Sequence, residues 1–130
     1  MKLLHVALVY STEEKADRFL VGVLELRKSE PKMLSDELCR ALFDHAGGLR
    51  AINYSNEALL FEVFIDEHYP WKTRSIEHVL LEVEDLTAFL ERCRRARASI
   101  RTFPRGDSVL IFVADEDNNL FEIKEKKAGG

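Results

Sequence analysis

Leu60-Phe61-Glu62-Val63 and Leu120-Phe121-Glu122-Ile123 are the stretches whose reading decides the fold. Each is an apolar run of the kind that forms a strand, and each carries one carboxylate at the same place. Upstream of them stands a second matched pair, Leu4-His5-Val6 and Glu77-His78-Val79. The chain thus runs twice from a strand bearing His-Val to a strand bearing Leu-Phe-Glu-Val or Leu-Phe-Glu-Ile. An internal repeat of this sort constrains a fold more than any single element does.

Working outward, Leu3–Tyr10 is a nearly continuous apolar run that predicts a strand buried on both faces. Ser11 and Glu14 suggest a capping box. Ala16, Phe19, Leu20, Val23 and Leu24 then recur at helical spacing and predict a helix from about Thr12 to Arg27. Strands are expected over about Lys32–Phe43, Leu49–Tyr54 and Ala58–Asp66, with turns at Gly47-Gly48 and Ser55-Asn56. His68-Tyr69-Pro70-Trp71-Lys72 breaks the pattern and reads as a linker, about 68–74. In the second half a strand is expected over Ser75–Val83. Asp85 can cap a helix with Leu86, Phe89, Leu90, Cys93 and Ala96 as its buried stripe. Ile100–Phe103, Val109–Val113 and Leu120–Lys124 complete it. Each half therefore reads β-α-β-β-β, giving a module over about 3–67, a second over about 75–126, and a disordered tail at 127–130.

Composition fits one ordinary folded domain: 130 residues, 46% hydrophobic and 32% charged. A formal net charge of −4 argues against nucleic acid or an anionic membrane as partner. No stretch approaches the length needed to span a bilayer, and no signal-peptide core is expected near the start. Cys39 and Cys93 are too few for a disulfide framework and lie in apolar patterns, as in a cytoplasmic protein.

The chemistry lies in two His and two Glu. A carboxylate pointing inward from such strands is costly to desolvate unless a cation compensates it. Two imidazoles and two carboxylates suit a divalent first-row metal with positions left for substrate. Singly, each has a plainer explanation: a lone His in a strand is commonly a core residue, and a strand Glu commonly faces water. Their matched places in two repeats favour the metal.

With these residues the chain resembles the vicinal oxygen chelate superfamily, the group of glyoxalases, bleomycin-resistance proteins and dioxygenases. The resemblance covers about Leu3 to Lys126. It implies an α+β fold in which two βαβββ modules form a curved mixed sheet around a metal site. By position the implied ligands are His5, Glu62, His78 and Glu122, the pattern of bacterial glyoxalase I. Asp115-Glu116-Asp117-Asn118-Asn119 stands where the family often has Asp-Pro-x-Gly-Asn, and Asn118 can take the left-handed conformation of that Gly. Phe19-Leu20-Val21-Gly22-Val23-Leu24-Glu25 departs from the family's Phe-Tyr-x-x-x-Leu-Gly, which puts a glutathione hemithioacetal substrate in doubt.

The resemblance implies a lyase or isomerase that stabilises an enediolate or oxyanion. Glu122 is the expected base and Glu62 its competitor, with nickel, zinc, cobalt, manganese or iron as the ion. Arg101 and Arg105 flank a turn where related enzymes often contact an anionic substrate. Two rivals stand beside this reading. One is a metal-free module that sequesters a small molecule; the other is an iron-dependent extradiol-type dioxygenase, for which Glu62 is surplus. Arg92, Arg94, Arg95 and Arg97 read as a solvated helix face. Tyr54 and Trp71 read as packing or a pocket wall, and Asp66-Glu67-His68 as an exposed edge rather than a second metal cluster. Family members often form homodimers, some with exchanged modules.

Overall fold

The computed structural model describes residues 1–70 and 76–128. The chain divides into two compact units, Met1–Pro70 and Trp71–Gly130. Both are mixed α+β layers, as expected, and no helix among the described residues is long and apolar enough to cross a membrane. Trp71, Ser75 and the end of the tail lie outside the described residues.

In the first unit, β1 (Val6–Tyr10) runs parallel to β5 (Leu60–Ile65), and β5 pairs antiparallel with β4 (Leu49–Ser55). Two short strands, β2 (Arg27–Lys28) and β3 (Lys32–Leu34), pair with β4. The first strand is shorter than expected and is not buried on both faces, since Ala7 is exposed. Side chains alternate across a strand. Val6, Leu8, Tyr10, Phe61, Val63, Ile52 and Tyr54 therefore share one face, while His5, Ala7, Glu62, Asn53, Phe64 and Ala51 share the other.

The helical stretch after β1 also differs from expectation. Its N-cap is Thr12, whose hydroxyl accepts from the Lys15 N–H, in place of the Ser11–Glu14 box. Regular α-helix covers only α1 (Glu13–Ala16) before the chain widens into a π-helical turn over Asp17–Val21. The Gly22 and Leu24 amides each reach back five residues, to the carbonyls of Asp17 and Phe19. A β-carbon on Gly22 would stand 2.3 Å from the Arg18 carbonyl oxygen, so the turn requires glycine there. The apolar side of this stretch, Ala16, Phe19, Leu20 and Val23, is buried. Tyr54 donates to Asp17 Oδ1 at 2.6 Å, while Lys28 binds both Asp17 and Glu13, and Arg50 binds Glu13 at 2.8 Å. These bonds clamp the turn to the back of β4.

The strand expected over Lys32–Phe43 is instead β3 followed by a helix, α2 (Asp36–Phe43). The Ser35 hydroxyl accepts from the Leu38 N–H, Asp36 and Glu37 favour the N-terminal dipole, and Asp44 ends the helix in the left-handed conformation. A helix here buries Cys39 against Leu49, Ala51 and Phe64, with Leu34 beside them. The Phe43 ring meets the Phe64 ring edge to face, 5.5 Å between centroids.

In the second unit the order is β6 (Val79–Val83), β9 (Leu120–Glu125), β8 (Ser108–Ala114), β7 (Ser99–Arg105), with β6–β9 parallel and the rest antiparallel. Gly106, at φ +62°, opens the two-residue turn between β7 and β8. Asp85 caps α3 (Leu86–Arg95) through the Ala88 N–H, as the sequence indicates. Phe89 and Cys93 of α3, together with Ala96, are buried, as are Leu81, Val113, Phe121 and Ile123 on the sheet face opposite Glu122. The basic run of α3 does face water: Arg94 and Arg95 pair with Glu91, and Arg92 lies over the Phe89 ring.

Candidate metal centre

The two modules carry one His–Glu pair each, built alike. In the first, Glu62 pairs in register with Ala7, two residues past His5. In the second, Glu122 pairs with Leu80, two residues past His78. Each His stands one residue before its strand, and a two-residue offset keeps it on the same sheet face as its Glu. The repeat legible in the sequence is thus a repeat of strand register. His5 Nε2 lies 3.6 Å from Glu62 Oε1, and His78 Nε2 lies 3.2 Å from Glu122 Oε1. All four side chains are partly exposed, the glutamates by 28% and 25%, so none is the deeply buried charge that the apolar runs suggest.

The His78 pair shows what it asks for. Its Nδ1 is 2.7 Å from the Ile76 carbonyl oxygen, which can only accept, so Nδ1 carries the proton. In the neutral ring Nε2 then presents a lone pair to the Glu122 carboxylate, another lone-pair donor. A cation or a proton between Nε2 and the carboxylate would satisfy both. Two ligand atoms about 2.1 Å from one ion, at angles between square and tetrahedral, sit roughly 3.0–3.4 Å apart. The His78–Glu122 separation falls in that range, and the His5–Glu62 separation is a few tenths of an ångström wider. A carbonyl behind the imidazole is also the usual support for a metal-ligating histidine. Phe112, opposite Glu122 on β8, packs edge-on against the His78 ring at 5.0 Å. Sequence reasoning passed over both Ile76 and Phe112, although the repeat places Phe112 in the row beside Glu122.

The structure brings each expected His together with its Glu, one pair in each unit. Among the described residues, no group of three or more His, Cys, Asp or Glu side chains is gathered to hold a metal ion. Arg101 shares the face of Glu122: the paired row runs Leu80, Glu122, Phe112, Arg101. Two strand spacings put it roughly 10 Å from Glu122. Arg105 is on the same face but at the hairpin end, pairing with Ser108.

Other expected candidates resolve differently. Tyr54 is fully buried on the opposite face and is a clamp for the π turn; burial, followed by its bond to Asp17, raises its pKa. Glu67 and His68 form an exposed pair, while Asp66 turns away to His45. That His45–Asp66 contact was missed by sequence reasoning, the two residues being 21 apart. Asn118 is left-handed, φ +63°, and Asp115 accepts from the Asp117 and Asn119 amides to shape the turn before β9. Both cysteines are free and buried, and burial pushes the Cys93 thiol up to about 11. A shallow groove of about 850 Å³ lined by Asp17, Arg18, Gly22 and Lys28 sits against the π turn, not at either pair.

No protein-family profile matches the chain, and no curated protein matches it by sequence. Solved structures do. The fosfomycin resistance protein FosX from Listeria monocytogenes is 16% identical with a TM-score of 0.72, the match covering 98% of this chain and 95% of that one. FosX from Mesorhizobium loti is 18% identical at 0.70, covering 98% and 93%. A glyoxalase family protein from Enterococcus faecalis is 15% identical at 0.68, covering 94% and 95%. A mutant of the Listeria protein was crystallised with Mn(II) and 1S,2S-dihydroxypropylphosphonic acid. At these identities the likeness is one of fold. With its duplicated strand register, the chain has the fold of these FosX and glyoxalase family structures.

Proposed function

We propose that this chain is a divalent-metal-dependent enzyme acting on a small oxygen-bearing substrate, with His5, Glu62, His78 and Glu122 as the protein ligands. The observation that carries the reading is the matched pair of His Nε2–Glu Oε1 contacts at identical register, 3.6 and 3.2 Å. A bound divalent ion supplies a Lewis acid that draws charge from a substrate oxygen. The chain's own residues do the rest. The Ile76 carbonyl accepting from Nδ1 would leave the His78 Nε2 lone pair free to hold the ion. Glu122 would take a proton from a substrate carbon and return it, and Glu62 would hold the ion together with His5 and His78. Arg101 binds an anionic group of the substrate about two strands from Glu122; Arg105 is four residues further along β7 and serves the same group less directly.

The reading is glyoxalase-like in its ligand types, and the fold neighbours extend the substrates to be tried. The first test is metal content per chain of untagged protein, wild type against a His5→Ala/Glu122→Ala variant. Near-stoichiometric divalent metal in the wild type, lost in the variant, supports the site. Metal-free protein even after reconstitution with nickel, zinc, cobalt, manganese or iron overturns it, and leaves a small-molecule binder. With metal in place, α-ketoaldehyde–thiol adducts and fosfomycin are the substrates to assay. Full turnover in Glu122→Gln would remove Glu122 from the role of base.

A further inference from the structure

Helix α2 is where the two modules part company. In the second module the buried core residues Leu81, Val113, Phe121 and Ile123 all lie on the face turned from Glu122. In the first module Leu49, Ala51 and Phe64 are buried on the same face as His5 and Glu62, because α2 lies on them through Cys39 and Phe43. Phe64 is two residues along β5 from Glu62, about 7 Å on the same face. Phe43 sits on Phe64 with half of its own surface, 49%, still exposed, and Leu42 beside it is more exposed still. Asn53 is paired directly with Glu62 on that face, so the polar and apolar parts adjoin within one sheet.

We infer that α2 is the specificity wall of the site: Phe43, backed by Phe64, receives an apolar tail of a substrate whose oxygens are held at the metal. The inference rests on the metal reading above and adds the substrate class, an oxygen-chelating head with a short hydrocarbon or phenyl tail. Seating such a tail removes apolar surface on both sides from water, worth about fourfold in affinity per fully buried methylene. Each ligand atom on the polar side is unaffected by the identity of residue 43.

The test uses hydroxamates, which chelate through two oxygens and can be had with different tails. Zn(II)-loaded protein is titrated calorimetrically with acetohydroxamate and hexanohydroxamate. The longer tail is expected to bind at least tenfold more tightly, with that advantage falling below threefold in Phe43→Ala while acetohydroxamate affinity is unchanged. Equal affinities in the wild type, or an undiminished advantage in Phe43→Ala, overturn the wall. Should Phe43→Ala fail to fold, Phe43→Leu and nuclear Overhauser contacts from the hexyl protons to the Phe43 and Phe64 rings of the wild type decide instead. If the protein takes up neither zinc nor nickel, cobalt, manganese or iron, the metal reading has failed on its own. Hexan-1-ol is then added to the metal-free protein: contacts to Phe43 uphold the wall, and their absence overturns it.

Discussion

Replacing Tyr54 by Phe removes one oxygen from a fully buried side chain and leaves its shape intact. That oxygen donates to Asp17 Oδ1 at 2.6 Å, a short bond to a charged acceptor. Bonds of this kind contribute about 1.5–3 kcal/mol. Asp17 keeps Lys28 at 2.9 Å and is 39% exposed, so water can replace part of what is lost. The expected cost is therefore at the low end, about 1.5 kcal/mol. Asp17→Ala should cost more, because it strands the buried Tyr54 hydroxyl and frees Lys28 of one partner. The double variant should cost less than the sum, with a coupling of about 1 kcal/mol. Urea denaturation of the four proteins, followed by far-ultraviolet circular dichroism, measures the cycle. A Tyr54→Phe variant within about 0.5 kcal/mol of wild type, or strict additivity, would refute the claim that this bond clamps the π turn to β4.

Gly22→Ala forces a β-carbon onto the Arg18 carbonyl and should destabilise by about 1–3 kcal/mol, read from the same denaturation curves; a neutral outcome would count against the π geometry. His45 presents both ring nitrogens to acceptors, the Gly47 carbonyl at 2.9 Å and Asp66 Oδ2 at 3.1 Å. The Gly47 bond foremost, and then Asp66, hold its pKa above the usual 6.5, against partial burial. The stabilisation is complete below about pH 6.5 and is lost as pH rises through the folded value, so the wild type should exceed His45→Gln in stability at pH 6 and converge with it at pH 9. An imidazole proton resonance titrating below 6.5 would contradict this. Cys93 should resist Ellman's reagent in the native state at pH 8 and react at once in denaturant, since burial keeps it as the thiol.

The parts of the fold that were legible in the sequence are those where local and long-range requirements coincide. Leu60–Val63 and Leu120–Ile123 are apolar because each is a strand inside a sheet, and the His-Val stretches upstream pair with them in parallel. The helix at Asp36–Phe43 was misread because Met33, Leu34, Leu38, Cys39, Leu42 and Phe43 are apolar enough for a strand. The deciding signal was Ser35-Asp36-Glu37, a cap and two acids that a strand has no use for. The π turn was illegible because its hydrophobic spacing also fits a regular helix; the five-residue main-chain bonds and the close approach of Gly22 to the Arg18 carbonyl tell them apart. Of the candidate site, the sequence carried the two His, the two Glu and their pairing order. The tautomer of His78 depends on a main-chain carbonyl, and the His45–Asp66 contact on two loops meeting, neither of which composition encodes.

Because each His–Glu pair is spanned by one parallel pair of strands, its bite is held by main-chain hydrogen bonds, not by loops. A slip of one residue in either pairing would send the carboxylate through to the other face and break the His–Glu pair. Changes in turn length, surface charge or helix composition leave the register untouched. Each module therefore needs very little text to keep its His–Glu pair: two side chains and a pairing that places them two residues out of step. Such a pairing tolerates nearly complete rewriting of everything around it, and the fold itself is shared with a chain only 15% identical.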